Sequence, residues 1–188
     1  MLALLTWTLY AGGLYVLWSA GFRMAYGRWP MAYSLPPRDR YTWIDMGLSA
    51  AMWAYFAWCV WVGWADLRAV TGAMARGESV AWSLSRLEWA GLATAALGAG
   101  LRVWTLIVLG PNWRMGQDKA DTKHEFVKSG PYRLMKHPIN TAMVVTAVGH
   151  VALTNGAWAA WGLLAVGVAY HLLQGAAEVA FWKARNRS

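Results

Sequence analysis

The residues with chemistry to offer crowd into one stretch, residues 112–140, which carries Gln117, His124, Glu125, Tyr132, Lys136 and His137. Ser129-Gly130-Pro131 predicts a turn, because glycine frees the backbone and proline fixes it. His137-Pro138 predicts the start of a helix, since proline at the first helical position costs no intrahelical hydrogen bond. The free N–H groups and positive dipole end of that helix favour an anion, and Lys136 adds a full charge beside them. The alternative is a loop that simply turns into a helix, with Lys136 at a lipid headgroup; the residues alone leave both open. Further along, His150 and His171 have no Cys, Asp or Glu at metal-ligand spacing. They are expected at helix interfaces, and no metal site is expected. The single cysteine, Cys59, excludes an internal disulfide and a thiolate metal cluster. It is expected to be a buried apolar thiol.

The elements that must position these residues are membrane helices. Hydrophobic residues make up 58% of the 188 and charged residues 14%, against about a quarter charged in ordinary soluble domains. The 15 Trp suit a membrane–water interface. A hydrocarbon core of roughly 30 Å needs about 20 helical residues, and five apolar stretches approach that length: 2–22, 46–65, 87–109, 138–153 and 157–177. The first lacks a basic leading region and a small-residue cleavage site, so a retained helix is expected rather than a signal peptide. Thr154-Asn155-Gly156 makes the last two a hairpin. The predicted fold is all-α, a single polytopic membrane domain over 1–188 with no internal repeat.

Loop charge predicts the orientation. One set of alternate loops and the C-terminal tail holds thirteen Lys and Arg, and the other set holds three. The positive-inside rule puts the first loop, residues 110–137 and the C-terminus in the cytoplasm, with the N-terminus outside. A net charge of +8 is then a matter of topology and anionic membrane lipids, and nucleic acid is not an expected partner. The Trp-rich second span is read as interfacial belt or lipid-facing packing.

Set out in order, these residues resemble the isoprenylcysteine carboxyl methyltransferase family. Its members carry a glutamine, then a D-T-x-H-x-L-V-like run, then S-G-x-Y-x-x-x-R-H-P-x-Y. This chain has Gln117, then Asp121-Thr122-Lys123-His124-Glu125-Phe126-Val127, then Ser129-Gly130-Pro131-Tyr132 and Lys136-His137-Pro138-Ile139-Asn140, with no gap needed. Leu101-Arg102, Leu109-Gly110 and the closing hairpin to Glu178 extend the resemblance over residues 100–178.

The resemblance implies an S-adenosylmethionine-dependent methyltransferase. It places cofactor binding at Gln117, His124, Glu125, Phe126, Val127, Tyr132, Lys136, His137, Pro138, Asn140 and Glu178. Lys136 and the helix N-terminus suit the cofactor's carboxylate, Glu178 suits a cationic group, and Phe126 and Tyr132 offer aromatic surface. Methyl transfer from a sulfonium needs no metal, and no catalytic side chain is assigned. Alignment of the nucleophile alone contributes about 7–11 kcal/mol. The implied acceptor is a lipophilic small molecule or lipidated thiol compound.

Three positions depart from the family pattern. Lys136 stands for arginine, keeping charge but losing the bidentate fork. Asn140 stands for tyrosine. Gln174 stands where the family has an arginine facing its substrate, which predicts that prenylcysteine-type acids are poor acceptors. Arg102 is the other candidate for the acceptor. Near mid-membrane an unpaired charge costs about 2.5–3.5 kcal/mol, so Arg102 must snorkel to the headgroups, pair with Glu178, or line the acceptor cavity. Two further readings stay open on the sequence: an intramembrane reductase using NADPH on a related architecture, and a catalytically degenerate scaffold.

Overall fold

The computed structural model describes residues 2–30, 40–79, 83–113 and 127–185, with the side chains of these except at 11–12, 40–42, 45 and 177–185. The described residues are helical or in turns, and no strand occurs among them. The first span is one continuous helix of changing pitch. It comprises α1 (Leu2–Thr8), a π-helical stretch (Leu9–Leu17) and α2 (Trp18–Tyr26). It stops at Gly27, whose φ of 69° is left-handed. Next come α3 (Arg40–Ala75) and α4 (Arg86–Leu109), then 3-10 turns at Gly110–Asn112 and Gly130–Arg133. α5 (Pro138–Leu153) and α6 (Trp158–Arg185) close the chain as a hairpin.

Local chemistry accounts for the ends. α4 begins in a capping box: Ser85 Oγ accepts from the Glu88 N–H at 3.2 Å, and the Ser85 N–H donates to Glu88 Oε2 at 2.8 Å. α5 begins at Pro138, and its hairpin turn uses two left-handed residues, Asn155 and Gly156. α3 runs well past its apolar segment at 46–65. Its 36 residues make about 54 Å of helix, because hydrophobicity marks only the lipid-immersed part while backbone bonding continues until Gly77.

Four helical segments are long and apolar enough to cross a membrane: Leu2–Tyr26, Met46–Ala75, Arg86–Asn112 and Trp158–Ala176. The protein is a polytopic all-α membrane protein. The fifth expected span, α5, has the predicted bounds but only 16 residues, about 24 Å of helix, and it is the one most enclosed by protein. Large apolar side chains face outward elsewhere, among them Trp53, Trp61 and Trp64 on α3 and Leu172 on α6. They suit lipid, as the belt or lipid-facing reading of those indoles requires.

The tightest packing joins α4 to α5 along small residues. Gly91, Ala95 and Gly98 on one helix meet Ala142, Thr146 and Gly149 on the other. A Cβ on Gly91 would lie 2.7 Å from Leu153 N, and one on Gly98 would lie 2.7 Å from Thr146 N. Such backbone approach drives helix association in lipid, where apolar burial supplies no force. Two clusters fill the remaining interior. Trp7, Tyr10, Tyr55, Cys59, Ala147, Ala160 and Leu163 form one. Phe22, Leu106, Leu109 and Trp113 form the other, at the end where α2 and α4 finish. Cys59 is buried and free, as expected. His150 is an interface residue, with Nδ1 3.1 Å from the Tyr55 hydroxyl.

Candidate cofactor and acceptor site

Where α4 ends, α5 begins and α6 nears its end, three elements carry the candidate side chains. The turn Gly130–Arg133 comes first. Gly130 has φ 56°, and a Cβ there would lie 2.7 Å from Val108 Cγ2 on α4. Only glycine satisfies both the left-handed backbone and the close approach. Tyr132 from this turn, with Val127 and Ile139, packs half-buried on the Phe22, Leu106, Leu109 and Trp113 cluster.

His137 caps α5 in an irregular conformation, φ −132° and ψ 65°. Its carbonyl accepts from the Thr141 N–H at 3.0 Å and from Thr141 Oγ1 at 3.1 Å. The imidazole reaches across to α6. It sits edge-on to the His171 ring with centroids 6.1 Å apart. A Cβ at Gly175 would lie 3.1 Å from His137 Cδ2 and Nε2, so glycine leaves room for this ring. Gln174, the neighbouring residue, is half-buried. Its Oε1 and the His171 Nδ1 are buried with no hydrogen-bond partner. Pro138 and Asn140 are buried at the start of α5, and Lys136 is exposed.

The sequence-derived positions therefore divide. Val127, Tyr132, Pro138, His137, Asn140 and Gln174 gather at this end of the bundle. Position 178 follows Gln174 by four residues in α6, one turn further on. Gln117, His124, Glu125 and Phe126 lie outside the described residues. His171 joins the functional candidates, although the sequence alone points to a helix interface there. Its spacing of three from Gln174, which puts both on one helical face, was the available signal.

Arg102 does not snorkel. It is 2% exposed, and its Nη1 donates to the Tyr10 hydroxyl at 3.0 Å and to the Tyr15 hydroxyl at 2.7 Å. The Tyr15 ring also lies under the guanidinium, 3.9 Å from Cζ to the centroid. Snorkelling fails because these phenols, on the first span, offer polar partners without a climb to the headgroups. Sequence gave no sign of them. Residues five apart lie well past one turn in an α-helix, and only the i→i+5 bonding of the π stretch brings them to one face.

The sequence model of the phospholipid methyltransferase family matches residues 87–184. The chain belongs to the phospholipid methyltransferase family. The match covers a little over half of the chain, from the first turn of α4 almost to the end of α6, and contains the Gly130–Arg133 turn, the start of α5 and the His171–Gly175 stretch of α6. The family includes the isoprenylcysteine carboxyl methyltransferase-like membrane enzymes that the ordered motif resembles, and this member is a membrane methyltransferase. The first span and α3 lie outside the matched stretch, so Tyr10 and Tyr15 come from outside the family's shared region. No curated protein and no solved structure matches the chain.

Proposed function

We propose that this phospholipid methyltransferase family member binds S-adenosylmethionine at the α5–α6 end of the bundle and methylates a lipophilic acceptor that enters from the bilayer. The observation that carries the proposal is the meeting of His137 with His171 and Gly175 inside the family-matched stretch. The side chains there suit such a cofactor. Two buried polar atoms, Gln174 Oε1 and His171 Nδ1, have no partner, and a buried polar atom left unsatisfied costs about 1–3 kcal/mol. A ligand bearing ammonium and carboxylate groups can supply the missing hydrogen bonds.

When bound, the cofactor supplies an electrophilic methyl on sulfonium. The chain's own work is to bind and align. The N-terminus of α5 and Lys136 attract a carboxylate, Tyr132 offers an aromatic face, and His137 and Glu178 bind the cofactor's polar groups. Gln117, His124, Glu125, Phe126, Val127, Pro138 and Asn140 complete the proposed binding set. The acceptor is water-insoluble, so lateral entry between helices is its natural route.

Calorimetry on detergent-purified protein tests this reading. His137→Ala and Glu178→Ala are each expected to weaken S-adenosylmethionine at least about tenfold, a loss of roughly 1.4 kcal/mol, without loss of folding. Wild-type affinity in both variants would move the pocket elsewhere. Binding of NADPH in place of S-adenosylmethionine would favour reductase chemistry instead.

The proposed orientation puts this end of the bundle in the cytoplasm, where S-adenosylmethionine is made available. It rests on the distribution of thirteen cations against three. Arg28 Nη2 also donates to the Pro111 carbonyl at 2.6 Å, so the first loop and the end of α4 share one side, as alternating spans require. A reporter active only outside the cell membrane, fused after Ser188, is expected to be silent. A strong signal would reverse the orientation or remove a span.

A further inference from the structure

Arg102 poses a problem that its two tyrosines do not solve. It is a permanent cation, 2% exposed, inside a helix that crosses the membrane. Among the described residues it hydrogen-bonds only to neutral phenols, and no carboxylate pairs with it. Its Nε is buried without a hydrogen-bond partner. Burying a guanidinium is tolerable only when an opposite charge and hydrogen bonds accompany it, and ionisable residues within membrane spans mark ligand pathways by default.

Its surroundings say where the missing anion comes from. Arg102 is enclosed by Tyr10 and Tyr15, and the Tyr15 hydroxyl also reaches Met143 Sδ on α5 at 3.8 Å. That walls it with aromatic and thioether surface among helices immersed in lipid, a setting that suits an anion carried on a lipid. The depth adds a second constraint. Met143 and His137 are six residues apart on α5, on the order of 9 Å along the axis. If the methyl group is transferred beside His137, as proposed above, an anion at Arg102 is not the atom that receives it. An acid whose own carboxylate is methylated does not match this separation, whereas a headgroup with its anion set apart from its reactive end does.

We infer that Arg102, presented with Tyr10 and Tyr15, is the specificity-determining receptor for the phosphodiester of a glycerophospholipid acceptor. The inference rests on the methyl-transfer reading for the word acceptor, but not for the binding itself. The guanidinium matches two phosphate oxygens with parallel N–H donors, and Nε becomes one of them. The π-helical stretch presents the two phenols and lies outside the matched residues, whereas Arg102 lies within them, so the receptor joins the matched stretch to the first span.

The test is lipid retention by the detergent-purified full chain, read by native mass spectrometry. The chain is offered equal amounts of dioleoylphosphatidylethanolamine, dioleoylphosphatidylglycerol and uncharged dioleoylglycerol, with and without inorganic phosphate. S-adenosylmethionine calorimetry runs in parallel. Wild type is expected to retain both phosphodiester lipids at least about tenfold over dioleoylglycerol. Arg102→Gln should abolish that preference while S-adenosylmethionine affinity stays within about twofold. Arg102→Lys keeps the cation without the fork and should weaken retention about three- to tenfold; it decides the matter if Arg102→Gln fails to fold. Equal retention of dioleoylglycerol by wild type, or phosphodiester retention unchanged in Arg102→Lys, overturns the inference. Inorganic phosphate binding without any lipid preference assigns the site to a soluble anion and also overturns it. Failure of wild type to bind S-adenosylmethionine strikes the methyl-transfer reading and leaves the lipid result standing.

Discussion

Gly149→Ala is expected to destabilise the protein by about 1–3 kcal/mol, the usual range for overpacking a tight contact, and to lower its thermal midpoint in detergent by several degrees. The added methyl would lie 2.5 Å from Ala95 N and 2.7 Å from Gly91 O. Those are backbone atoms of α4, which cannot rotate away, so the two helices must separate. Separation would also disturb the neighbouring close approaches at Gly91 and Gly98, which share the same interface. Gly100 supplies the contrast. Its Cβ position is open, with nothing within 4 Å. Gly100→Ala should therefore be neutral, or stabilising by up to about 1 kcal/mol through helix propensity. Equal stability of the Gly149→Ala variant and wild type would mean that α4 and α5 do not meet in this register.

Gln174→Arg is expected to create activity that wild type lacks, namely methyl transfer to N-acetyl-farnesylcysteine. Gln174 lies on α6 next in sequence to Gly175, which faces the His137 imidazole, and has a buried, unpartnered Oε1. An amide can exchange hydrogen bonds with a carboxylate but cannot offset its charge. Leaving one member of a buried charge pair alone typically costs about 3–5 kcal/mol, which is about two to four powers of ten in kcat/KM. Arg102 is poorly placed to substitute, because its Nη1 is bound to Tyr10 and Tyr15 on the first span. Steady-state kinetics with both enzymes measures the gain. Robust wild-type turnover would show that no cation is needed at position 174. The same gain would place Gln174 in the acceptor region.

Much of the architecture was legible because lipid imposes it. A bilayer forces every spanning backbone to bond internally, so composition and the length of apolar runs predicted the helices, and Pro138 and Thr154-Asn155-Gly156 marked the bounds of α5. The small residues of α4 and α5 stood in plain view, but their pairing did not. Gly91 could have met any neighbour, and only the packed bundle sets it against Gly149 and Leu153. The ordered motif from Gln117 to Asn140 pointed to the family that residues 87–184 match, because a family keeps residue types in a fixed order along the chain.

Side-chain partnerships across helices were not legible. Arg102 advertised its cost on entering the membrane, yet nothing in a linear reading joins it to Tyr10 and Tyr15, some ninety residues earlier. That contact depends on a π-helical pitch that no local residue pattern predicts. His171 looked like packing until the α5–α6 hairpin brought His137 against it, with Gly175 making the room. The sequence by itself determined that this is a helical membrane protein carrying a methyltransferase motif, since solvent and cofactor chemistry act on residue types directly. The tertiary structure alone decided which polar groups share an enclosed space, because helix faces find their partners only when distant segments pack.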